Sequence, residues 1–158
     1  MREIKFKGRR TDNGEWIYGD LMYTPTPNAD HGKAYIRQPG WEAWLPVSSD
    51  TVGQYTGLKD KNGKEIYEGD VVKNIWTRSD GSDIGNLWVV QFGEYDNNDI
   101  EYGSPAVGFY GKSLNPTYVY SGKVEGLNNL PTDAQNSTGI EVIGNQYENP
   151  ELLQGGTE

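Results

Sequence analysis

Asp50–Lys73, DTVGQYTGLKDKNGKEIYEGDVVK, places two backbone reversals between short β-type runs, and the fold is read outward from it. Asp60-Lys61-Asn62-Gly63 reads as a type I turn closed by a glycine in the left-handed region, a common hairpin connection. Asn62 tolerates the bridge conformation, and Gly63 takes positive φ with no Cβ to clash. Tyr55–Lys59 and Lys64–Tyr67 are then predicted to pair as antiparallel strands. A second break at Glu68-Gly69-Asp70 hands the chain to Val71 and Val72, β-branched residues that suit a half-buried strand. The spacing of Asp60 and Asn62 also begins an EF-hand loop. Such a loop needs its glycine sixth, whereas Gly63 is fourth and Lys64 stands at the third ligand site. The turn is therefore read as part of a meander and not as a calcium loop.

Toward the N-terminus, apolar Ile4 and Phe6 alternate with Lys5 and Lys7, the period of a strand with one wet face. Asp12-Asn13-Gly14 reverses it, and GEWIYGDLMY at residues 14–23 returns as a strand whose Gly19 marks a bulge or bend. Pro25 and Pro27 make residues 24–33 a surface loop, where His31 stands alone and is read as solvated. Ala34–Gln38 and Trp41–Val47 flank Pro39-Gly40 as a further hairpin.

Toward the C-terminus, residues 74–86 are polar and glycine-punctuated, a loop between strands. Leu87–Phe92, LWVVQF, is the best buried strand, and Glu94, Asp96, Asp99 and Glu101 crowd a solvated acidic loop after it. Ala106–Lys112, Thr117–Tyr120 and Gly139–Tyr147 supply further strands. Asn149-Pro150-Glu151 has the N-cap, N1 and first-turn residues of a helix, with room for one turn before a frayed tail.

Gln54–Lys73 and Ile140–Leu153, IEVIGNQYENPELL, together with the opening MREIKFKGR, resemble the YopX-type family of phage and prophage proteins. The resemblance covers roughly a third of the chain and implies a small phage-encoded protein of unassigned activity, with no catalytic residues to carry over.

The composition agrees with a folded, turn-rich domain. Of 158 residues, 34% are hydrophobic and 12% aromatic, with 21 Gly and 8 Pro, so tyrosine and tryptophan must supply much of the buried area. Mean hydropathy is −0.78, but disordered segments are typically poor in aromatics. With no cysteine and one histidine, disulfides, thiolate zinc sites and cysteine nucleophiles are excluded, and no cofactor is expected. No apolar run is long enough to span a bilayer and no signal-peptide pattern opens the chain, so a bacterial cytoplasmic location without membrane contact is expected.

The architecture predicted is all-β: short antiparallel strands and hairpins. The expectation includes an SH3-like barrel within Tyr67–Tyr147 and at most one short C-terminal helical turn. Residues 1–48 form an N-terminal hairpin region, 49–153 the barrel-like region and 154–158 the tail.

Because no nucleophile, base or metal ligands converge and phosphate-loop patterns are absent, the leading reading is a non-catalytic accessory protein that binds a protein partner or another copy of itself. Trp41, Trp44 and Trp76 are its candidate contacts. The net charge of −9 makes nucleic acid an unfavoured partner, yet Arg2, Lys5, Lys7, Arg9 and Arg10 form a basic edge. Nucleic-acid contact there, or acidic mimicry of DNA by the acids from Asp80 to Glu101, is the second reading. The third is a hydrolase built on paired carboxylates.

Overall fold

The computed structural model describes residues 3–25, 33–77, 79–81, 83–96, 105–114, 124–126 and 137–154. The protein is all-β, with two antiparallel sheets, and divides into two compact units, Met1–Gly57 and Leu58–Glu158.

In the first unit, β1 (Phe6–Arg9), β2 (Trp16–Thr24), β3 (Lys33–Arg37), β4 (Leu45–Val47) and the start of β5 (Gly53–Lys59) lie in the order β4-β3-β2-β1-β5. Strand β2 changes partner midway. Trp16 to Gly19 pair with β1, and Asp20 to Thr24 pair with β3. Gly19 sits at that handover because a Cβ there would run into the carbonyl oxygen of Arg37. The chain then curls back on itself: Ser48 N donates to Arg9 O at 2.9 Å, and Thr11 N to Pro46 O at 3.1 Å. This encloses Ile17, Ala34, Ile36 and Val47, with Phe6, Leu21, Leu45 and Val52 packed around them. Fully burying a valine, leucine, isoleucine or phenylalanine of this set contributes about 1.5–3 kcal/mol, and Ala34 less.

The alternation of Phe6 with Lys5 and Lys7 does make a strand, but the lysine face is not wet. Lys7 is 4% exposed, its ammonium 4.9 Å from the Trp16 ring centroid, and Lys5 lies 4.9 Å from that of Tyr55. Aliphatic stems pack while the charged ends meet aromatic faces, which makes lysine compatible with burial here.

In the second unit the chain keeps the meander expected of DKNG and EGD. Strand β5 turns into β6 (Glu65–Tyr67), with Gly63 N donating to Asp60 O at 2.9 Å and Gly63 at φ 81°. Asp70 Oδ2 accepts from Tyr67 N at 2.8 Å and closes the second reversal into β7 (Asp70–Thr77). Next come β8 (Asp83–Asp96), β9 (Pro105–Ser113), β10 (Val124–Gly126) and β11 (Ser137–Asn145), in the sheet order β10-β9-β8-β7-β11. The core is Ile66, Val72, Trp88, Val90, Ile140 and Val142, with Leu58 and Phe109 against it.

The SH3-like barrel expected within Tyr67–Tyr147 does not close among the described residues. Closure requires the first and last strands of a sheet to meet at a fixed stagger. Here β10, only three residues long, pairs with β9 alone, and β11 pairs with β7 at the opposite margin. Residues 118–120, expected as a strand of that barrel, lie outside the described residues, as do His31 and the tail 155–158.

The polar run 74–86 is not one loop: β7 continues to Thr77, and β8 begins at Asp83. Glu94 to Asp96 of the acidic run likewise belong to β8. Conversely, Trp41–Trp44 are irregular, and only Leu45–Val47 of that segment pairs. Pro150–Gln154 form the single C-terminal turn, a 3-10 turn, and Ser49–Thr51 add another that the sequence reading lacked.

Candidate functional site

Among the expected contacts, Trp41 and Trp44 lie in the irregular segment between β3 and β4 of the first unit. Trp41 N donates to Gln38 O at 3.0 Å, and Gly40 takes φ 82°, so Gln38-Pro39-Gly40-Trp41 is a type II turn. With proline presetting its first corner, the turn holds Trp41 out at 51% exposure. Trp44, three residues on, is half-buried, with the Arg37 guanidinium 4.8 Å from its ring centroid. Arg37 in turn donates from Nη2 to Asp20 Oδ2 at 2.9 Å, on strands that pair these two residues directly. Asp20, Arg37 and Trp44 thus form a chain of charge and stacking contacts beside the exposed indole. Trp76 lies on β7, opposite Ile84 and Ser137, and its side chain falls outside the described residues.

The basic edge is engaged within the protein at each described position. Lys5 Nζ stands 3.3 Å from Glu3 Oε1, Lys7 is buried over Trp16, and Arg9 Nε donates to Gly14 O at 2.9 Å. Arg10 Nε donates to Asp12 Oδ1 at 2.9 Å, and its Nη1 lies 3.7 Å from Glu15. The Arg10 hydrogen bond holds the Asp12 carboxyl below its ordinary value, and the same bond raises the guanidinium. Arg2 lies outside the described residues.

Asp60, read from the sequence as the start of a hairpin and not as a calcium ligand, has its carboxylate turned inward. It is buried at 7% exposure, and its Oδ1 accepts Asn62 N at 2.8 Å and Lys64 N at 2.9 Å. Its Oδ2 accepts Val142 N at 3.1 Å, from β11. Burial alone would raise this carboxyl. The Val142, Lys64 and Asn62 N–H groups, with the charge of Lys64, outweigh that and hold it below the usual carboxylate range. Both oxygens are committed to backbone, so Asp60 is a structural clamp. Among the described residues, no three His, Asp or Glu side chains gather as metal ligands would. No helix among them is long and apolar enough to cross a membrane.

Sequence reasoning missed Arg37 as the partner of Trp44. The signal lay in their placement on either side of Pro39-Gly40, a turn tight enough to bring the two together.

A family model described as YopX protein matches residues 5–154. Among solved structures, protein EF1440 from Enterococcus faecalis is similar at 22% identity, over 97% of this chain and 99% of that one, with a TM-score of 0.45. No curated protein matches the chain.

Proposed function

The chain belongs to the YopX family, and from that membership we propose that it is a phage or prophage accessory protein that works without catalysis, by binding a host or phage macromolecule. The observation that carries the reading is Trp41, a large indole left half in solvent by the Gln38–Trp41 turn, three residues from the Trp44 that stacks with Arg37. Exposed tryptophan is costly to leave in water and is among the residues most enriched where binding energy concentrates. The companion stack matters as well, because a rigid neighbour lowers the entropy lost when the indole is covered.

The test is a pull-down from lysogenic cells with wild-type, Trp41→Ala and Trp44→Ala proteins, each checked by thermal melting. Trp41→Ala should lower recovery of the partner by about 10-fold with an unchanged melt. Trp44→Ala, which also strips the stack from Arg37, should lower both. Equal recovery by Trp41→Ala and wild type would remove this surface from the account.

A further inference from the structure

Strands β8 and β9 run on past the rest of their sheet. Strand β7 accompanies β8 only from Asp83 to Val89, whereas β9 accompanies it from Trp88 to Asp96. On the far side of β9, β10 reaches only Tyr110 to Lys112. Gln91–Asp96 and Pro105–Phe109 therefore form a two-stranded arm about 20 Å long, with no third strand among the described residues.

One face of this arm starts from Phe109 on the core and carries exposed apolar side chains beyond it. Phe92 and Phe109 pair directly, edge to face at 5.0 Å, and the next pair on that face is Glu94 with Val107. Phe92 is 51% and Val107 74% exposed. The opposite face is finished differently: Tyr95 and Tyr110 contact at 5.3 Å across the paired Gly93 and Gly108, and Tyr110 Oη donates to Gln91 at 3.0 Å.

The edge has a defined polarity. Val90 O accepts Gly69 N at 2.8 Å on the β7 side, and N–H and C=O groups alternate between sides along an antiparallel strand. The backbone groups of Phe92 and Glu94 consequently point to the side that β7 has vacated.

Charge decides what would lie there. Met1–Gly57 carries seven basic and seven acidic residues, whereas Leu58–Glu158 carries seven basic against sixteen acidic, so the entire net charge of −9 resides in the unit that owns the arm. The arm itself, Gln91–Asp96 with Pro105–Phe109, has Glu94 and Asp96 and no cation. A second copy of the chain would meet its own charge. We propose that the β8 edge at Phe92–Glu94 takes up an extended, lysine- or arginine-bearing polypeptide segment as an added strand. On the face shared by Phe92, Glu94 and Val107, its residue beside Phe92 would be apolar and the next one on that face, beside Glu94, a lysine or arginine.

The probe is a blocked peptide of about eight residues in which threonine alternates with valine and lysine in turn (Thr-Val-Thr-Lys repeated), so that valine and lysine share one face; this is the length of an ordinary strand. A control of equal charge carries a central proline and cannot pair. Binding to the full chain is followed by fluorescence anisotropy and by amide hydrogen exchange. The alternating peptide should bind, and it should slow exchange at the Phe92 and Glu94 amides. The proline peptide, and the alternating peptide with Phe92→Ser or Val107→Ser protein, should bind about 10-fold more weakly. Three results would overturn the proposal: equal binding of both peptides, which is charge attraction alone; no protection at Phe92 and Glu94; or self-association abolished by the serine variants. The exchange readout is taken at Phe92 and Glu94 themselves, so this outcome is separable from that of the Trp41 pull-down.

Discussion

Asp60 shows how a single carboxylate joins a turn to a sheet. Its three backbone donors come from the hairpin it starts and from β11, 82 residues away from it. Asp60→Asn puts an amide N–H₂ where a second acceptor is needed and leaves a buried N–H facing it. It should lower stability by about 2–3 kcal/mol in urea unfolding at neutral pH. The pH dependence follows from the depressed carboxyl. A group whose folded pKa lies below its unfolded value of about 3.9 contributes stability above that value, which is lost as pH falls through the folded one. The gap between wild type and Asp60→Asn should therefore stay constant from neutrality down to about pH 5 and narrow below about pH 4. A gap independent of pH throughout would show that the charge of Asp60 contributes nothing.

At the scale of elements, the two reversals around β6 separate two costs that glycine avoids. Gly63 (φ 81°) has open space where a Cβ would stand, while Gly69 (φ 83°) has Tyr147 Cε2 at 2.8 Å from that point. Gly63→Ala should cost only the left-handed backbone penalty, about 1–2 kcal/mol. Gly69→Ala should cost more, because the Tyr147 ring must also move. Urea midpoints of the two variants give the difference directly, and equal midpoints would mean that Tyr147 yields freely.

These same turns were readable in the sequence because each is a local bargain between neighbouring residues, satisfied within four positions of the chain. The strand limits beyond them were not. The run 74–86 looks like a loop because its Asn, Ser, Asp and Gly residues break apolar alternation, yet β7 and β8 pass through it and Asn74 within it is buried at 2% exposure. Trp41–Trp44 look like a strand because tryptophan favours pleated surfaces, yet the turn at Pro39-Gly40 leaves them irregular before β4. Lys7 reads as wet from its charge and its place in the alternation, whereas in space it is buried with its ammonium over the Trp16 ring. Of the candidate contacts, Trp41 could be picked out by type, but its exposure depends on a turn whose geometry sequence merely permits.

At the scale of the molecule, the charge imbalance has a thermodynamic signature. Nine uncompensated negative charges gathered in Leu58–Glu158 repel one another, and added salt screens them. Raising sodium chloride from roughly 0.02 to 0.5 M should raise Tm by about 2–4 °C, the equivalent of ~1 kcal/mol for a chain of this size. A fall in Tm would point instead to the favourable pairs, such as Lys61 with Glu141 at 2.6 Å, as the dominant electrostatic contribution.

The clamp at Asp60 also sets an order of events during synthesis. Val142, which supplies one of its three N–H groups, leaves the ribosome long after the hairpin that houses the carboxylate. Until then the nascent second unit holds a charged oxygen with its partner still unmade. A ribosome stalled before β11 should display a protease-sensitive intermediate, and maturation of the unit should await the arrival of its penultimate segment.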